Sequence, residues 1–483
     1  MIKQFLIILS LTLGAHAVVK PNIVLLIADD HGYADMSCMG MHTDVKTPAL
    51  DKLAQQGVRF SQAYSTAPIC NASRTGLIMG IHQARLGVFW YKNPGLVNKT
   101  TLTLAEMLKE QGYRTAYVGK VHYGDSSLNS VDFPLNHGFD NYFGFMGGRK
   151  HYLSHNDESE QEFLDLQAAS SRSTENPVKG SGSLQKFESL KKGSFWNNKT
   201  KDKHEGFATE IFGAKAREFI ASQEEKPFYL QVAFNAVHNF THQLPKEYLE
   251  KHQLTSVTDW DPATEDYLEW YRKGRYPNNR QGREYYLGHL HYLDREVGLI
   301  MDCLDERGLR ENTLVIYISD NGGSTPIYAS NGPLRGSKYT LYEGGIRIPM
   351  IVSFSEKYDG GLIENKLVST LDIYPTICDL IGLPKQDYMD GVSLNESLST
   401  KARSLYWHSG HETAMRQGKW KYKTASSNAD AKLEMVELEL GAFLYDLEAD
   451  PGEKHNLIKS EAERAASLRN QFKAWEKGLE IPK

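Results

Sequence analysis

The sequence predicts an α/β fold, in which helices sandwich a large, mostly parallel sheet, with a smaller C-terminal α+β subdomain. Two observations predict this architecture. Four strand-like apolar runs alternate with helix-like stretches, and each run ends in polar residues; the runs begin at Ile23, Arg114, Pro227 and Leu314. The last part of the chain instead carries short alternating strands, such as those at 420–423 and 443–445, before a final helix.

The first apolar run, 23–28, is continuous and rich in β-branched residues, which is typical of a strand buried on both faces. It ends in Asp29-Asp30. Two adjacent carboxylates at the tip of a buried strand repel each other and lose their hydration unless a cation binds them. A helix cap or a turn is the simpler alternative, and this pair alone leaves both interpretations open.

The segment 67–80 predicts a helix that begins close to Cys70. Asn71 and Ser73 favour helix starts, and the apolar residues that follow give the helix a buried face. Backbone N–H groups at a helix start favour negative charge, and Arg74 lies one turn further along. These features suit an anionic nucleophile or an anionic substrate. A buried structural cysteine beside a surface arginine is the alternative.

Helices and strands continue to alternate after this segment. Helices are predicted over 48–57, 102–112, 209–222 and 285–307, and strands over 114–119, 227–234 and 314–319. In a parallel sheet the ligand site lies outside the carboxyl ends of the strands, so the polar residues there should converge. Those that follow the last three strands are Lys120 and His122, Asn235 and His238, and Asp320 and Asn321.

Three parts are expected along the chain: a signal peptide at 1–17, a catalytic domain at 18–370 and a C-terminal subdomain at 371–483. The signal is indicated by Lys3, an apolar run at 5–13 and an Ala15-His16-Ala17 cleavage site. The apolar run is too short to span a bilayer. We therefore expect a periplasmic or secreted protein without stable membrane insertion.

Composition excludes some classes of partner and site. A net charge of −5 and the lack of a long basic run argue against a nucleic-acid partner. The four cysteines, Cys38, Cys70, Cys303 and Cys378, show no CxxC spacing, so a structural zinc site is not expected. The irregular stretch at about 147–205 has no clear periodicity, which suits either a surface loop or a substrate-binding loop.

The motif Cys70-Asn71-Ala72-Ser73-Arg74, followed by Gly80, resembles the signature of type I sulfatases in the alkaline phosphatase superfamily. Further blocks match in the family's order: Asp29-Asp30, 119–122, 234–238, 319–323, 335–338, 342–345, 390–394, 444–447 and Asp450-Pro451. The resemblance covers nearly the whole mature chain. It implies an alkaline phosphatase-like fold and the hydrolysis of sulfate esters.

The resemblance also implies that Cys70 is oxidised to formylglycine (3-oxoalanine), whose aldehyde hydrate is the nucleophile. Ala72 stands where the family more often has Pro, and this favours a maturation enzyme of the anaerobic radical type. Met79 stands where the family more often has Thr. The implied ion is Ca²⁺, with Mg²⁺ as the alternative, and oxygen donors suit both. Its implied ligands are Asp29, Asp30, residue 70, Asp320 and Asn321.

Other matching residues take implied roles in turnover. Lys120 and Lys338 bind sulfate oxygens, and Arg74 stabilises the hydrate and the charge of the metal site. Attack on sulfur leaves a sulfated enzyme intermediate, and His122 assists the elimination of sulfate from it. His238 supports or protonates the leaving alcohol oxygen, a role that suits a titrating side chain.

The substrates expected for an exported sulfatase are sulfated polysaccharides or their oligosaccharides, from algal glycans or glycosaminoglycans. Basic and aromatic residues near the start of the irregular stretch are candidates for contacts with further sugar or sulfate groups: Arg149, Lys150, His151, Tyr152 and His155. His289 and His291 lie within a predicted helix and outside the matching blocks, so we expect them to be structural.

Two other functions stay open from the sequence. Phosphomonoester and phosphonate-ester hydrolases of the same superfamily also use formylglycine, and activity on aryl sulfate against aryl phosphate would separate them from a sulfatase. A non-catalytic binder of sulfated glycans would keep Cys70 as a thiol and only hold anions. Turnover that depends on Cys70 would exclude the binder.

Overall fold

A computed structural model describes residues 20–91, 94–97, 99–148, 150–153, 194–222, 225–259, 266–395 and 403–479. Several predictions fall on other residues. The signal peptide at 1–17, Arg149, His155 and most of the irregular stretch at 147–205 lie outside the described residues.

A mixed sheet of eleven strands forms the centre of the larger part of the described chain. Its strands are β1 (Asn22–Ala28), β2 (Val58–Tyr64), β3 (Arg114–Lys120), β4 (Asn141–Phe145), β5 (Phe195–Asn197), β6 (Thr200–Asp202), β7 (Phe228–Ala233), β8 (Thr313–Ser319), β9 (Arg347–Ile348), β10 (Met350–Ser353) and β11 (Leu362–Ser369). Their order is β11-β2-β10-β8-β1-β7-β3-β4-β5-β6, with β9 beside β2. The four predicted strands, β8, β1, β7 and β3, are neighbours and run parallel. This confirms the predicted α/β sheet.

Helices cover both faces of this sheet, and the last two in chain order pack on the smaller sheet instead. They are α1 (Pro48–Gln55), α2 (Cys70–Met79), α3 (Leu104–Glu110), α4 (Ala208–Ala221), α5 (Lys246–Lys251), α6 (Tyr267–Lys273), α7 (Gly282–Glu306), α8 (Glu343–Ile346), α9 (Ile373–Leu380), α10 (Ala429–Leu433) and α11 (Ala462–Lys477). Alternate residues of β1 point to opposite faces. Val24 and Leu26 join a core with α1, α4 and α7, whereas Ile23 and Leu25 join a core with α2, α3 and α9.

A separate antiparallel sheet forms the smaller part, as predicted. Its strands are β12 (Ser404–His408), β13 (Glu412–Gln417), β14 (Trp420–Ala425) and β15 (Gly441–Asp446), and α11 packs on them through Leu468 and Phe472. The predicted division at residue 370 stays a prediction. Helix α9 packs into the core of the large sheet through Ile373 and Ile377, which favours a later boundary.

None of the helices in the described ranges combines the length and the apolar character that a membrane crossing requires.

Candidate active site

The polar residues that follow the parallel strands meet at one edge of the large sheet. The backbone N–H of Asp29, just after β1, donates to the carbonyl of Ala236 at 2.9 Å, and the N–H of Val237 donates back to Asp29 at 2.8 Å. The N–H of Asp320, after β8, donates to the carbonyl of Ala28 at 3.0 Å. The register of the sheet therefore fixes the loops after β1, β7 and β8 against one another.

Cys70 is the first residue of α2, as the sequence predicts, and every residue of this helix is buried. The residue before it, Ile69, is extended and offers no side-chain cap. The side chain of Asn71 does not cap the helix either, because its amide donates to the carbonyl of Trp90 at 2.8 Å. The first backbone N–H groups of this helix, which have no acceptor within the helix, therefore favour negative charge at the Cys70 side chain.

Three carboxylates and three cations pair within the site. Lys120 contacts Asp29, and Lys338 Nζ lies 2.8 Å from Asp30 Oδ1. Arg74 Nε lies 2.7 Å from Asp320 Oδ2. Lys338 also donates to the Sγ of Cys70 at 3.1 Å. All six charged side chains are at most 3% exposed, so the protein interior holds each charge against its partner.

Burial governs the pKa of the ionisable groups at this centre. It raises the pKa of the Cys70 thiol to about 12, and the nearby charges of Lys120 and Lys338 offset only part of this effect. Burial also raises the pKa of Asp29 to about 7, against the opposing charge of Lys120. Because the thiolate is the reactive form of cysteine, the unmodified Cys70 is a poor nucleophile here.

Asp320 responds in the opposite direction. Burial acts to raise its pKa, but the charges of Arg74, Lys120 and Lys338 together outweigh burial, and its pKa is lowered. Asp320 therefore stays ionised, with a carboxylate that is available to a cation.

The donor set fits a hard divalent ion. Candidate ligand atoms of Asp29, Asp30, Cys70 and His238 all lie within 4.8 Å of one another. In the part of the chain that the structure describes, Asp29 Oδ1 is buried without a hydrogen-bond partner, and so is the side-chain oxygen of Asn321. Buried oxygens without partners are costly, and a cation would satisfy them. Carboxylate and amide oxygens are the ligands that Ca²⁺ and Mg²⁺ prefer.

His238 and His122 follow neighbouring strands. His238 Nε2 lies 3.7 Å from Asp30 Oδ2 and is 6% exposed. His122 has a positive φ of 56°, and its backbone N–H donates to the carbonyl of Met146 at 3.1 Å. Its ring lies against Gly148, where a Cβ would overlap the imidazole. Gly148 is therefore a supporting residue that the sequence reasoning missed.

The three described residues that are expected to contact sugar, Lys150, His151 and Tyr152, are buried. Tyr152 is fully buried, and its hydroxyl donates to the carbonyl of Asn235 at 2.5 Å. Lys150 is 9% exposed, with its ammonium group 3.4 Å from the carbonyl of Ser194. His151 is stacked on Phe240 with 4.7 Å between ring centroids. Tyr152 thus supports the loop that carries His238, and its burial argues against the expected contact with substrate.

A second buried ionic cluster escaped the sequence reasoning, although Glu343 lies within a matching block and Glu453 follows another closely. Glu343, at the start of α8, accepts from the Tyr64 hydroxyl at 2.5 Å and pairs with Lys421 at 3.0 Å. Lys421 also lies 2.9 Å from Glu453, whose other oxygen accepts the N–H of Glu343 at 2.6 Å. This cluster joins the small sheet to the segment that follows Lys338.

Comparison with known proteins assigns this chain to a family. A family model described as Sulfatase matches residues 21–383, and a model of the C-terminal part of N-sulphoglucosamine sulphohydrolase matches residues 337–477. The chain belongs to the sulfatase family. As a sulfatase it is a sulfuric ester hydrolase, which excludes the purely binding role left open above.

Known relatives of this sulfatase align over most of their length. N-acetylgalactosamine-6-O-sulfatase of Bacteroides thetaiotaomicron is 30% identical and covers 93% of this chain, with 92% of that protein aligned. Arylsulfatase A of Homo sapiens is 27% identical and covers 94% of this chain, with 86% of that protein aligned.

Solved structures show the same fold. The crystal structure of Ps i-CgsB in complex with k-i-k-neocarrahexaose superposes with a TM-score of 0.74 at 26% identity, and it covers 94% of this chain and 92% of that chain. A phosphonate monoester hydrolase of Agrobacterium radiobacter, with a TM-score of 0.60 and 19% identity, shares the fold.

Proposed function

We propose that this sulfatase removes sulfate from sulfated polysaccharides or their oligosaccharides. The nucleophile is a formylglycine hydrate made from Cys70, and the site holds Ca²⁺, with Mg²⁺ as the alternative. The glycan class is supported by two relatives whose names refer to N-acetylgalactosamine 6-sulfate and to a carrageenan oligosaccharide. The maturation enzyme, of the anaerobic radical type, and export to the periplasm or beyond the cell belong to the same proposal.

The charge balance of the site carries the proposal. When all three are ionised, Asp29, Asp30 and Asp320 contribute three negative charges, and Arg74, Lys120 and Lys338 contribute three positive charges, so the side-chain charges sum to zero. A divalent ion bound to the carboxylates would leave the centre net positive. A net positive, buried centre favours an anionic substrate such as a sulfate ester.

The bound ion would be held by Asp29, Asp30, Asp320 and Asn321 and would lower the pKa of a hydroxyl on residue 70. The ion would compete with Lys120 and Lys338 for the carboxylates of Asp29 and Asp30. The two ammonium groups would then be able to bind sulfate oxygens as point charges. Arg74 keeps Asp320 ionised and oriented through its 2.7 Å contact. The Sγ of Cys70 marks where the hydrate oxygens of formylglycine would stand.

The two histidines would each transfer a proton at a different oxygen atom. His238 lies beside Asp30, where it would hold or supply the proton at the leaving alcohol oxygen. His122, on the loop after β3, would accept the proton of the second hydroxyl of residue 70 and so help sulfate to leave. Both roles need a side chain that can accept and donate a proton, which imidazole does.

The test combines the mass of the peptide that carries residue 70 with the rate of aryl sulfate turnover. We expect the peptide that carries residue 70, from protein made in its native host, to show the mass of an aldehyde in place of the thiol. We also expect turnover of an aryl sulfate to exceed that of the matching aryl phosphate, and to disappear in Cys70→Ala. An unmodified thiol in every copy, or a preference for phosphate, would contradict the proposal.

Export has a separate test. Fractionation of native cells should find the protein outside the cytoplasm, with a mature N-terminus near Val18. A cytoplasmic protein that keeps residues 1–17 would contradict export and leave the catalytic proposal standing.

A further inference from the structure

The small sheet turns a charged face toward residues 335–346, which we call the Lys338 segment. Alternate residues of a strand share a face, and cross-strand partners point to the same side. The opposite face of this sheet is apolar and packs on α11 through Met415 and Tyr422. Four charged residues of β13 and β14, each at most 4% exposed, therefore lie together on the inner face: Glu412, Arg416, Lys421 and Lys423.

Glu412 contacts the Lys338 segment directly. Both of its carboxylate oxygens lie 3.2 Å from the backbone nitrogen of Leu341, whose N–H donates to them. Lys423 Nζ lies 2.7 Å from Glu412 Oε2 and 4.1 Å from the centroid of the Tyr342 ring. One buried pair of a glutamate and a lysine thus holds two consecutive residues of the segment.

Glu453 and Lys421 repeat this arrangement two residues further along. The carboxylate of Glu453 accepts the N–H of Glu343 at 2.6 Å, and Lys421 Nζ lies 2.9 Å from its other oxygen. The backbone N–H groups of residues 341 and 343 therefore each donate to a glutamate that is paired with a lysine of β14.

The other end of the Lys338 segment is bonded to the catalytic centre. The N–H of Lys338 donates to the carbonyl of Gly323 at 3.1 Å, just after Asp320 and Asn321 in the chain. The N–H of Tyr339 donates at 2.8 Å to the carbonyl of Pro68, two residues before residue 70. The segment thus connects the small sheet with the loops of the nucleophile and of the candidate metal ligands.

Stability alone does not account for the pair of Glu412 and Lys423. Both side chains are fully buried, and replacement of a buried ion pair by apolar residues of similar volume is often neutral or stabilising. An apolar residue at 412 could not accept the N–H of Leu341, which is itself buried. What Glu412 adds is therefore a hydrogen bond to the Lys338 segment.

We propose that Glu412 is a positioning residue for Lys338: it holds the Lys338 segment through the N–H of Leu341 and so fixes the ammonium group against the sulfate. This inference rests on the proposed function, in which Lys338 binds sulfate oxygens. Lys423 orients the carboxylate of Glu412. The small sheet is then a support of the active site.

The test compares two double variants that differ only in the hydrogen-bond acceptor at residue 412. Glu412→Gln with Lys423→Met keeps an acceptor for the N–H of Leu341, whereas Glu412→Met with Lys423→Met does not. Neither leaves a buried charge without its partner. With Ca²⁺ present, kcat on aryl sulfate should stay within about threefold of the wild type in the Gln variant and fall about tenfold or more in the Met variant.

Two further measurements separate positioning from a general loss of structure. In the Lys338→Met background, the kcat values of the two double variants should lie within about twofold of each other, because effects that act through one side chain do not add. Amide hydrogen exchange of the peptide 335–346 should be faster in the Met variant than in the Gln variant, with the peptide of β1 as the reference.

Glu296→Gln is the matched control, at a buried and paired acid outside the Lys338 segment. Glu296 is 1% exposed, and its carboxylate lies 2.6 Å from Arg217. This variant should lower the free energy of unfolding, because it leaves a buried cation without its partner. It should leave kcat and the exchange of the peptide 335–346 as in the wild type.

Other outcomes overturn the inference. Equal kcat or equal exchange in the two double variants would show that the hydrogen bond from Leu341 does not position the segment. A difference in kcat that persists in full in the Lys338→Met background would show that Glu412 does not act through Lys338. If the Met variant does not fold, Glu412→Asp replaces it, because it keeps the charge and is one methylene shorter; wild-type kcat in Glu412→Asp would then overturn the inference.

Failure of the proposed function gives a different result. If the wild-type protein does not turn over aryl sulfate at all, the proposed function fails. Hydrogen exchange then decides the role of Glu412 alone, and equal exchange in the two double variants would overturn that role separately.

Discussion

The ammonium group of Lys338 lies 3.1 Å from the sulfur of Cys70 and 2.8 Å from a carboxylate oxygen of Asp30. One buried cation thus connects the position of the nucleophile with a candidate metal ligand. The segments that carry these residues are far apart in sequence, and the large sheet brings them together.

Replacement of Lys338 should therefore impair both turnover and folding. Lys338→Met should lower kcat on aryl sulfate about 10²–10³-fold, the usual effect of removing one preorganised charged donor. It also leaves Asp30 buried without its cation, which should cost about 3–5 kcal/mol of unfolding free energy when no metal is bound.

Steady-state kinetics and urea denaturation of Lys338→Met check the two effects. Lys357→Met, at an exposed lysine outside the site, is the control and should change neither. A Lys338→Met enzyme with wild-type kcat would show that this ammonium group does not act on the sulfate.

Metal binding should stabilise the fold. Asp29 Oδ1 and the side-chain oxygen of Asn321 are buried and, within the described chain, accept no hydrogen bond, so Ca²⁺ should bind and satisfy them. Ca²⁺ at 100 times its Kd should add about 2.7 kcal/mol to the unfolding free energy, and a chelator should remove this gain. Asn321→Ala should weaken the binding of Ca²⁺ measured by calorimetry. A melting temperature that neither Ca²⁺ nor a chelator moves would contradict the metal site.

Gly148 should be needed to position His122. A methyl group at residue 148 would overlap the imidazole, so Gly148→Ala should displace the ring and lower kcat. The check is a double-mutant cycle of Gly148→Ala with His122→Ala. If both substitutions act through the same imidazole ring, their effects on kcat will not add, and the double variant should be little slower than His122→Ala alone. Additive losses would mean that Gly148 acts elsewhere.

The sequence predicts most of the sheet and the convergence of its polar loops, because continuous apolar runs that end in polar residues are a local signal. The start of α2 at Cys70 is likewise readable from neighbouring residues. Two features are not local. Tyr152 resembles a sugar-binding residue in sequence, but its hydroxyl finds an acceptor only in the folded loop at Asn235. The cluster of Glu343, Lys421 and Glu453 depends on the docking of two sheets, and periodicity carries no information about it.

That cluster should make stability depend on pH. Burial raises the pKa of Glu453 from 4.5 to about 7, with Lys421 opposing and Glu343 reinforcing the shift. Between pH 4.5 and about 7 the folded protein therefore binds a proton at Glu453 that the unfolded chain does not. Stability that comes from this group is present at low pH and is lost as pH rises through this range.

Glu453→Gln should remove this dependence, since an amide keeps the hydrogen bond with the N–H of Glu343 and cannot ionise. The measurement is the unfolding free energy at pH 5 and pH 7.5, with Ca²⁺ present to hold Asp29 ionised in both. We expect the loss of stability between these pH values to be smaller in Glu453→Gln than in the wild type, and unchanged in Glu448→Gln, an exposed control nearby. If the unfolding free energy changes equally between the two pH values in the wild type, Glu453→Gln and Glu448→Gln, Glu453 is ionised at both pH values and Lys421 compensates its burial.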